Sequence, residues 1–397
     1  MGKSSIIIVL GFMVIVGLTA PNINRLASRT YDNFLTYNGR THSHDIAVSG
    51  ANVAANAIFI TPTWRSSYND VVFSGGSYSV SATTYNINQV KIVSVGQFGK
   101  SRDTVIVILA PSSFSKFAYF STIEGGIYWI TGDTVWGPFH TQAKMQISGS
   151  PVFYGKVTTR LGTNPKKSSA KFYGGYQMGV SLTLPSNFGI VSTAASSGGY
   201  LAGTGDLWLK FSGDTVNWKT SAGASYTADL ISTLAPNGVI CAQQGNVHVE
   251  GTLHGRVTVG ALGSSGLAYG NIYIDNDIRY SVDPRYGNSP DMLGLAADNN
   301  VIITDNAANN NNVIIQAAII CRTGGLSAEH YSTRGVAGAI ELWGGVTQYQ
   351  RGAVGTFSGG TVTSGFHKHY VYDQRLANSA PPFYPATGNY ESISWLE

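Results

Sequence analysis

SSIIIVLGFMVIVGLTA (residues 4–20) carries no charged side chain. A full membrane span needs about 20 apolar residues, so this stretch is barely long enough. Lys3 precedes it and Arg25, Arg29 and Arg40 follow, so the flanking charges favour neither orientation. The chain beyond it keeps a helical rhythm. Apolar and small residues recur at Ile23, Leu26, Thr30, Phe34 and Tyr37, then through Ile46, Ala47, Gly50, Ala51, Ala54, Ala57 and Ile58. Asn24, Arg25, Arg29, Asp32, Arg40 and His44 supply a polar side. The spacing predicts one helix from Ser4 to about Ile60, roughly 85 Å long, stopped by Pro62 and bent or locally loosened at Pro21 and Gly39. The small residues of HDIAVSGANVAANAIF would let another helix approach closely. A cleavable secretory signal is the competing reading. It places Leu18 where a small residue is wanted before Ala20, and Pro21 directly after the cut.

Outside this segment the composition is that of a β protein. Of 397 residues only 12% are charged, against about 25% in an average globular chain, while 11% are aromatic and 48 are glycine. That excludes disorder, which needs high charge and few aromatics, and helical repeats, which need Glu, Lys, Leu and Ala. A net charge of +4, dispersed along the chain, argues against a nucleic-acid partner. From Thr63 the period changes to two: VVFSGGSYSVSATT reads as a hairpin, and QVKIVSVGQFG and DTVIVILAP as strands. After Gly125, apolar runs of four to six residues alternate with Gly, Asn, Asp and Ser turns, clearest in GNVHVEGTLHGRVTVGAL (245–262), GNIYIDNDI (270–278), NNVIITDN (299–306), NVIIQAAIIC (312–321) and GAIELWGGVTQYQRGAVGTF (338–357). Such spacing predicts short stacked parallel strands, with a β-sandwich as the alternative.

The protruding apolar half, the amphipathic half and a proline about twenty residues in resemble the N-terminal helix of type IV pilins and minor pilins, the run GANVAANAIF above all. That resemblance implies that Ile6, Ile7, Ile8, Val9, Leu10, Phe12, Met13, Val14, Ile15, Val16, Leu18, Pro21, Ile23 and Leu26 form an assembly helix. Prepilin substrates usually carry a glutamate five residues after the cleavage point; a cut after Gly2 puts Ile7 there. Gly132, Asp133, Thr134, Trp136, Gly137, Pro138 and His140, then Arg351 to Phe357, then Tyr372, Asp373, Arg375 and Leu376, and the terminal PPFYPATGNYESISW resemble a domain of bacterial pilin-like surface proteins. That resemblance implies a structural role and surface display, with no activity attached.

The expected fold class is therefore α+β: a helix over 1–62, a small pilin-like β head over 63–124, and a right-handed parallel β-helix over 125–397 closed by PPFYP as a cap on its end. The expected function is a structural subunit of an extracellular pilus-like filament. Its partners would be other copies of itself, the cytoplasmic membrane before assembly, and surface glycans as a further candidate. A membrane-anchored adhesin or carbohydrate-binding protein is the alternative, and a β-helix polysaccharide-degrading enzyme the third reading. No catalytic, cofactor or metal site is expected. Asp275 with Asp277, and Asp298 with Asp305, are the nearest carboxylate pairs for glycoside chemistry. With Asn276, Asn299 and Asn306 they also offer oxygens to calcium, but without a known loop spacing. His42 and His44 fall on different sides of a helix, and His367 with His369 lack a third ligand. The run DNAANNNN (305–312) reads as a loop, with asparagines able to stack in ladders. Tyr119, Tyr128, Trp129, Trp136, Tyr154, Tyr173 and Tyr176 are rings for sugar or subunit contacts, or simply for packing. Cys241 and Cys321 both end apolar runs. On equivalent rungs they would stack, and a disulfide closing about 80 residues would contribute about 4 kcal/mol in the chain-entropy model; two separate buried thiols are the alternative.

Overall fold

A computed structural model describes residues 3–85, 89–166, 168–263, 268–358 and 361–397; Gly2, and with it the question of cleavage there, lies outside them. The chain forms two compact units, Met1–Pro111 with Gly388–Glu397, and Ser112–Thr387.

The first unit is one helix on one sheet. The helix runs unbroken from Lys3 to Ile60, through Pro21. Proline cannot donate to the carbonyl four residues back, that of Gly17. Nearby, Thr19 and Asn22 turn their side chains onto the Ile15 and Leu18 carbonyls, at 2.8 and 3.1 Å. Buried positions begin at Gly39 and continue through Ser43, Ile46, Ala47, Gly50, Ala51, Ala54 and Ile58, the three-and-four spacing of a single helix face. The partner of that face is the sheet, and not a second helix as the small residues suggested. Strands Gly76–Thr84 and Val90–Phe98 come so near that a Cβ on Gly96 would collide with the Ser43 carbonyl and the Ala47 amide. Hairpin pairing places Ser67–Phe73, Gly76–Thr84, Val90–Phe98 and Ser101–Ser113 side by side in antiparallel order. Alternation turns Val80, Val90, Ile92, Val105, Val107 and Leu109 toward the helix. The fifth strand is Ala386–Leu396. The head therefore ends near Pro111, earlier than residue 124, and the chain's last residues belong to it and not to the second unit.

The second unit is a stack of short parallel strands with antiparallel excursions. One ladder runs Leu207–Gly213, Val247–Leu253, Ile272–Tyr280, Val301–Ile303, Leu326–Ala328. A second runs Tyr200–Ala202, Val239–Gln243, Arg256–Leu262, Met292–Ala297, then the ends of Val313–Cys321 and Val336–Gln350. Its next members are Tyr119–Ile123, Phe139–Thr141, Val157–Thr159 and Tyr176–Met178. Stacking order thus differs from chain order: the strands nearest the start of the unit follow strand 336–350. Antiparallel pairs at 207–219 and 355–372 interrupt the parallel pattern.

At VIC (239–241), MLGLAA (292–297) and AAIIC (317–321) the second ladder is buried on both faces, which explains these continuous apolar runs, whereas its last strand, Tyr176–Met178, is exposed. Its inner face joins Ile240, Val259, Leu295 and Ile319 to one core. Its outer face, with Val239, Cys241, Met292 and Ala296, lies in another core with Val191 and Ala195 of the helix Gly189–Ser196 and with Tyr384. PPFYP therefore does not cap an end. It lies flat along this outer face, with Tyr384 and Pro381 against Gly294 and the Arg256 guanidinium donating to the Ala380 carbonyl at 2.7 Å. At one corner Asn246, Asn271 and Asn300 each donate from the side-chain amide to the residue one rung back (Asp206, Asn246, Asn271), at 3.1, 3.1 and 3.2 Å. The asparagine ladder thus falls at the turns GN, GN and NN, and not in 305–312. In that loop Asn309 is buried and donates to the Ile274 carbonyl at 2.8 Å.

Candidate functional site

From Ser4 to Tyr37 every helix residue is exposed. Ile6 to Leu18, Ile23 and Leu26 keep between 52% and 70% of their surface open, and Pro21 is exposed with them. The most apolar 18-residue window has a mean hydropathy of 2.4 and buries nothing. The ten Ile, Val, Leu and Phe between Ile6 and Leu18 would gain about 3–6 kcal/mol on entering a bilayer centre. Nothing within the chain's described residues covers this surface.

Cys241 and Cys321 are both buried free thiols. They sit in one ladder, yet Cys241 registers with Gly260, then Ala296, then Ile320, so Cys321 is three rungs away and one residue out of step. Three rungs are about 14 Å and one residue reverses the face, whereas a disulfide needs Cα atoms within about 7 Å. The two cannot bridge. Burial pushes both thiols up to about 12.

The acidic candidates are each held by a neighbour. Asp275 pairs with His248 at 2.8 Å; Asp277 accepts from Arg279 at 2.7 Å and from the Ile314 amide at 2.7 Å. Asp298 holds Arg322 at 2.5 Å, and Asp305 pairs with His330 at 2.9 Å. His369 pairs with Glu341 and His44 with Asp103, while the His42 ring stacks on Phe98 with centroids 4.8 Å apart. Among the described residues no three of His, Cys, Asp or Glu gather into a metal-sized group.

Of the aromatic candidates, Trp136, Tyr154 and Tyr173 form one exposed column, stacked at 3.8 and 5.5 Å. Tyr154 is the middle ring, and the two outer rings, Trp136 and Tyr173, keep 52% and 65% of their surface exposed. Tyr119 and Trp129 are buried instead. Both donate to the buried Glu124 carboxylate at 3.1 Å, which also receives Ser121 and, at 3.3 Å, the Arg351 guanidinium. Arg351 lies 4.3 Å over the Trp129 ring. Burial, helped by the Glu124 charge, raises the Tyr119 hydroxyl well above its ordinary value. Beside this group lies a cavity of about 150 Å³ lined by Asp133, Trp136, Arg351, Lys368, Tyr370 and Tyr372 among others. A second, more open hollow of about 490 Å³ shares Trp136 and Tyr372 and reaches Trp343 and Arg375. Lys368 and Glu124 were not singled out by sequence. The rung order that sets Tyr119 beside Val346 is what brings residues 124 and 351 together.

No family model and no curated protein matches the chain. Among solved structures, the competence-associated pilin ComZ from Thermus thermophilus aligns over 90% of this chain and 97% of its own, at 12% identity and a TM-score of 0.33. That likeness is too slight to carry an inference. The exposed apolar helix carries the functional reading instead.

Proposed function

We propose that the protein is a pilin-like, non-enzymatic structural subunit at the cell surface. Its apolar helix half anchors it in the cytoplasmic membrane and then packs with the helices of other copies in a filament, displaying a right-handed parallel β-helix. One observation carries this reading: a single unbroken helix is locked to a sheet by one half and wholly open over its apolar other half. Such a surface costs too much in water to stay uncovered, and a bilayer or a bundle of identical helices covers it without new residues. The parallel ladders support the coil, and connections between parallel strands are right-handed in about 98% of cases. Exposed Thr19 and Asn22 keep their polar groups on helix carbonyls, as a segment entering an apolar environment requires.

Negative-stain microscopy of the native chain and of a Val14→Asp variant tests the proposal. Long uniform fibres from the first and none from the second are expected. Dispersed particles from both would leave a monomeric membrane-anchored surface protein as the reading.

A further inference from the structure

One outward row of the second unit carries rings at Trp343, Trp136, Tyr154 and Tyr173, with Val371 between the first two. Trp343 registers with Val371, and Val371 with Trp136. Trp136, Tyr154 and Tyr173 then stack in that order. Residues in register on parallel strands point to the same face. Leu342, next to Trp343, belongs to the inner core, so the row points outward. The Trp136 and Tyr154 rings lie 15° from parallel with centroids 3.8 Å apart. Their planes therefore lie across the ladder, and the second face of Trp136 looks back toward Trp343. Val371 is too short to fill the row, so it leaves a slot between the two indoles. Rungs stand about 4.8 Å apart, which puts Trp343 and Trp136 about 9.6 Å apart along the ladder. The slot opens into the hollow of about 490 Å³, which Trp136, Trp343 and Val371 all line.

We propose that this slot binds one neutral pyranose ring of β-gluco configuration, the terminal unit of a glycan, between Trp136 and Trp343 with Val371 as its floor. The width selects the kind of ring. A flat aromatic ring touching both indoles needs about 7 Å, while a pyranose chair, thickened by its axial hydrogens, needs about 8–9 Å. Two stacking faces select the configuration. Where every substituent is equatorial, as in β-glucose and β-N-acetylglucosamine, C–H bonds stand on both sides of the ring and both sides are apolar. An axial hydroxyl, as in galactose or mannose, would press a polar group onto one indole without a hydrogen bond. The rim asks for no charge on the ligand. The Arg375 guanidinium donates to the Asp373 carboxylate at 3.0 and 2.6 Å, and its remaining arm donates to the Ser289 and Asp291 carbonyls. Gln374 is exposed and lines the hollow, and its side-chain amide makes no hydrogen bond with the described residues. That amide offers a donor and an acceptor to ring hydroxyls. Glucosides and N-acetylglucosaminides share this chemistry. The inference stands apart from assembly through the helix.

Saturation-transfer NMR and calorimetric titration of the full chain in a sugar-free polyoxyethylene detergent test it. The probes are methyl β-glucoside and methyl β-N-acetylglucosaminide, against methyl β-galactoside and methyl α-mannoside. At least one of the first pair is expected to bind about fivefold or more tighter than either of the second, and the tighter of the first pair identifies the source. Saturation should reach H2 and H4 as well as H3 and H5, the protons of opposite ring faces. Trp136→Ala should weaken this binding about fivefold or more, while Tyr173→Ala, at the far end of the same column, should leave it unchanged. Val371→Phe should abolish it by filling the slot. Equal binding of all four glycosides, saturation confined to one ring face, or no binding of either of the first pair at about 50 mM would each overturn the proposal in the native chain, whether or not the variants fold.

Discussion

The apolar half of the long helix and the second ladder of the β unit are similarly rich in Ile, Val, Leu and Ala, yet one is bare and the other is covered twice. Leu295 is fully buried, with an inner core on its own face and Tyr384 and the 189–196 helix over the opposite face of its strand. Leu10 keeps 57% of its surface open. The difference is one of where the hydrophobic partner comes from. A stacked strand finds it in the next rung, so the unit completes its own core. A lone helix of residues 4–37 has no rung beside it and must take its partner from outside the chain.

That contrast can be broken by matched truncations. Leu295→Ala should cost about 2–5 kcal/mol in chemical denaturation of the β unit, and Leu10→Ala should leave the same transition unmoved. A fall with Leu10→Ala would mean that the helix is covered within the monomer. Val14→Asp should instead reduce membrane partition by about 2.5–3.5 kcal/mol, read by vesicle flotation, again with no change in the unfolding midpoint.

A smaller effect comes from His140, fully buried with its Nδ1 paired to Thr158 at 2.7 Å and its Nε2 without a partner among the described residues. Burial lowers its pKa from 6.5 to about 4. A histidine held neutral in the fold but protonated when unfolded contributes stability above pH 6.5 that is lost as pH falls toward 4, here about 3 kcal/mol. A His140→Asn variant should flatten that part of the pH–stability profile. Asn271→Ala should cost about 1–3 kcal/mol by thermal or chemical unfolding, since it strips one rung of the asparagine ladder and orphans its neighbours. Finally, dithiothreitol should shift no unfolding midpoint, because Cys241 and Cys321 face opposite sides of their sheet.

How much of this was legible from the residues follows the same division. The helix and its stop before Pro62 could be read because period and proline are local signals. Strand existence was legible for the same reason, and GN turns marked the corners where Asn246, Asn271 and Asn300 stack. Long-range pairing was not. Nothing in YFSTI says that it adds to the strand holding Val346, and nothing in ATGNYESISWL says that it joins the head sheet. The Glu124–Arg351 pair is a consequence of that order, so it was hidden with it. The small residues at Gly50, Ala51 and Ala54 did announce a close neighbour; a helix and a sheet ask for the same small residues, and the sequence does not distinguish them.

The most direct measurement is cysteine crosslinking between copies. Met13, Val14, Ile15 and Val16 cover one helical turn, and the two native thiols are buried and inert. Each of the four would be replaced singly by cysteine and oxidised in native membranes and in sheared surface material. Covalent dimers at one or two of the four positions are expected, since neighbouring helices would bring one face within disulfide reach. Monomers at all four, from protein that still floats with membranes, would contradict assembly through the helix.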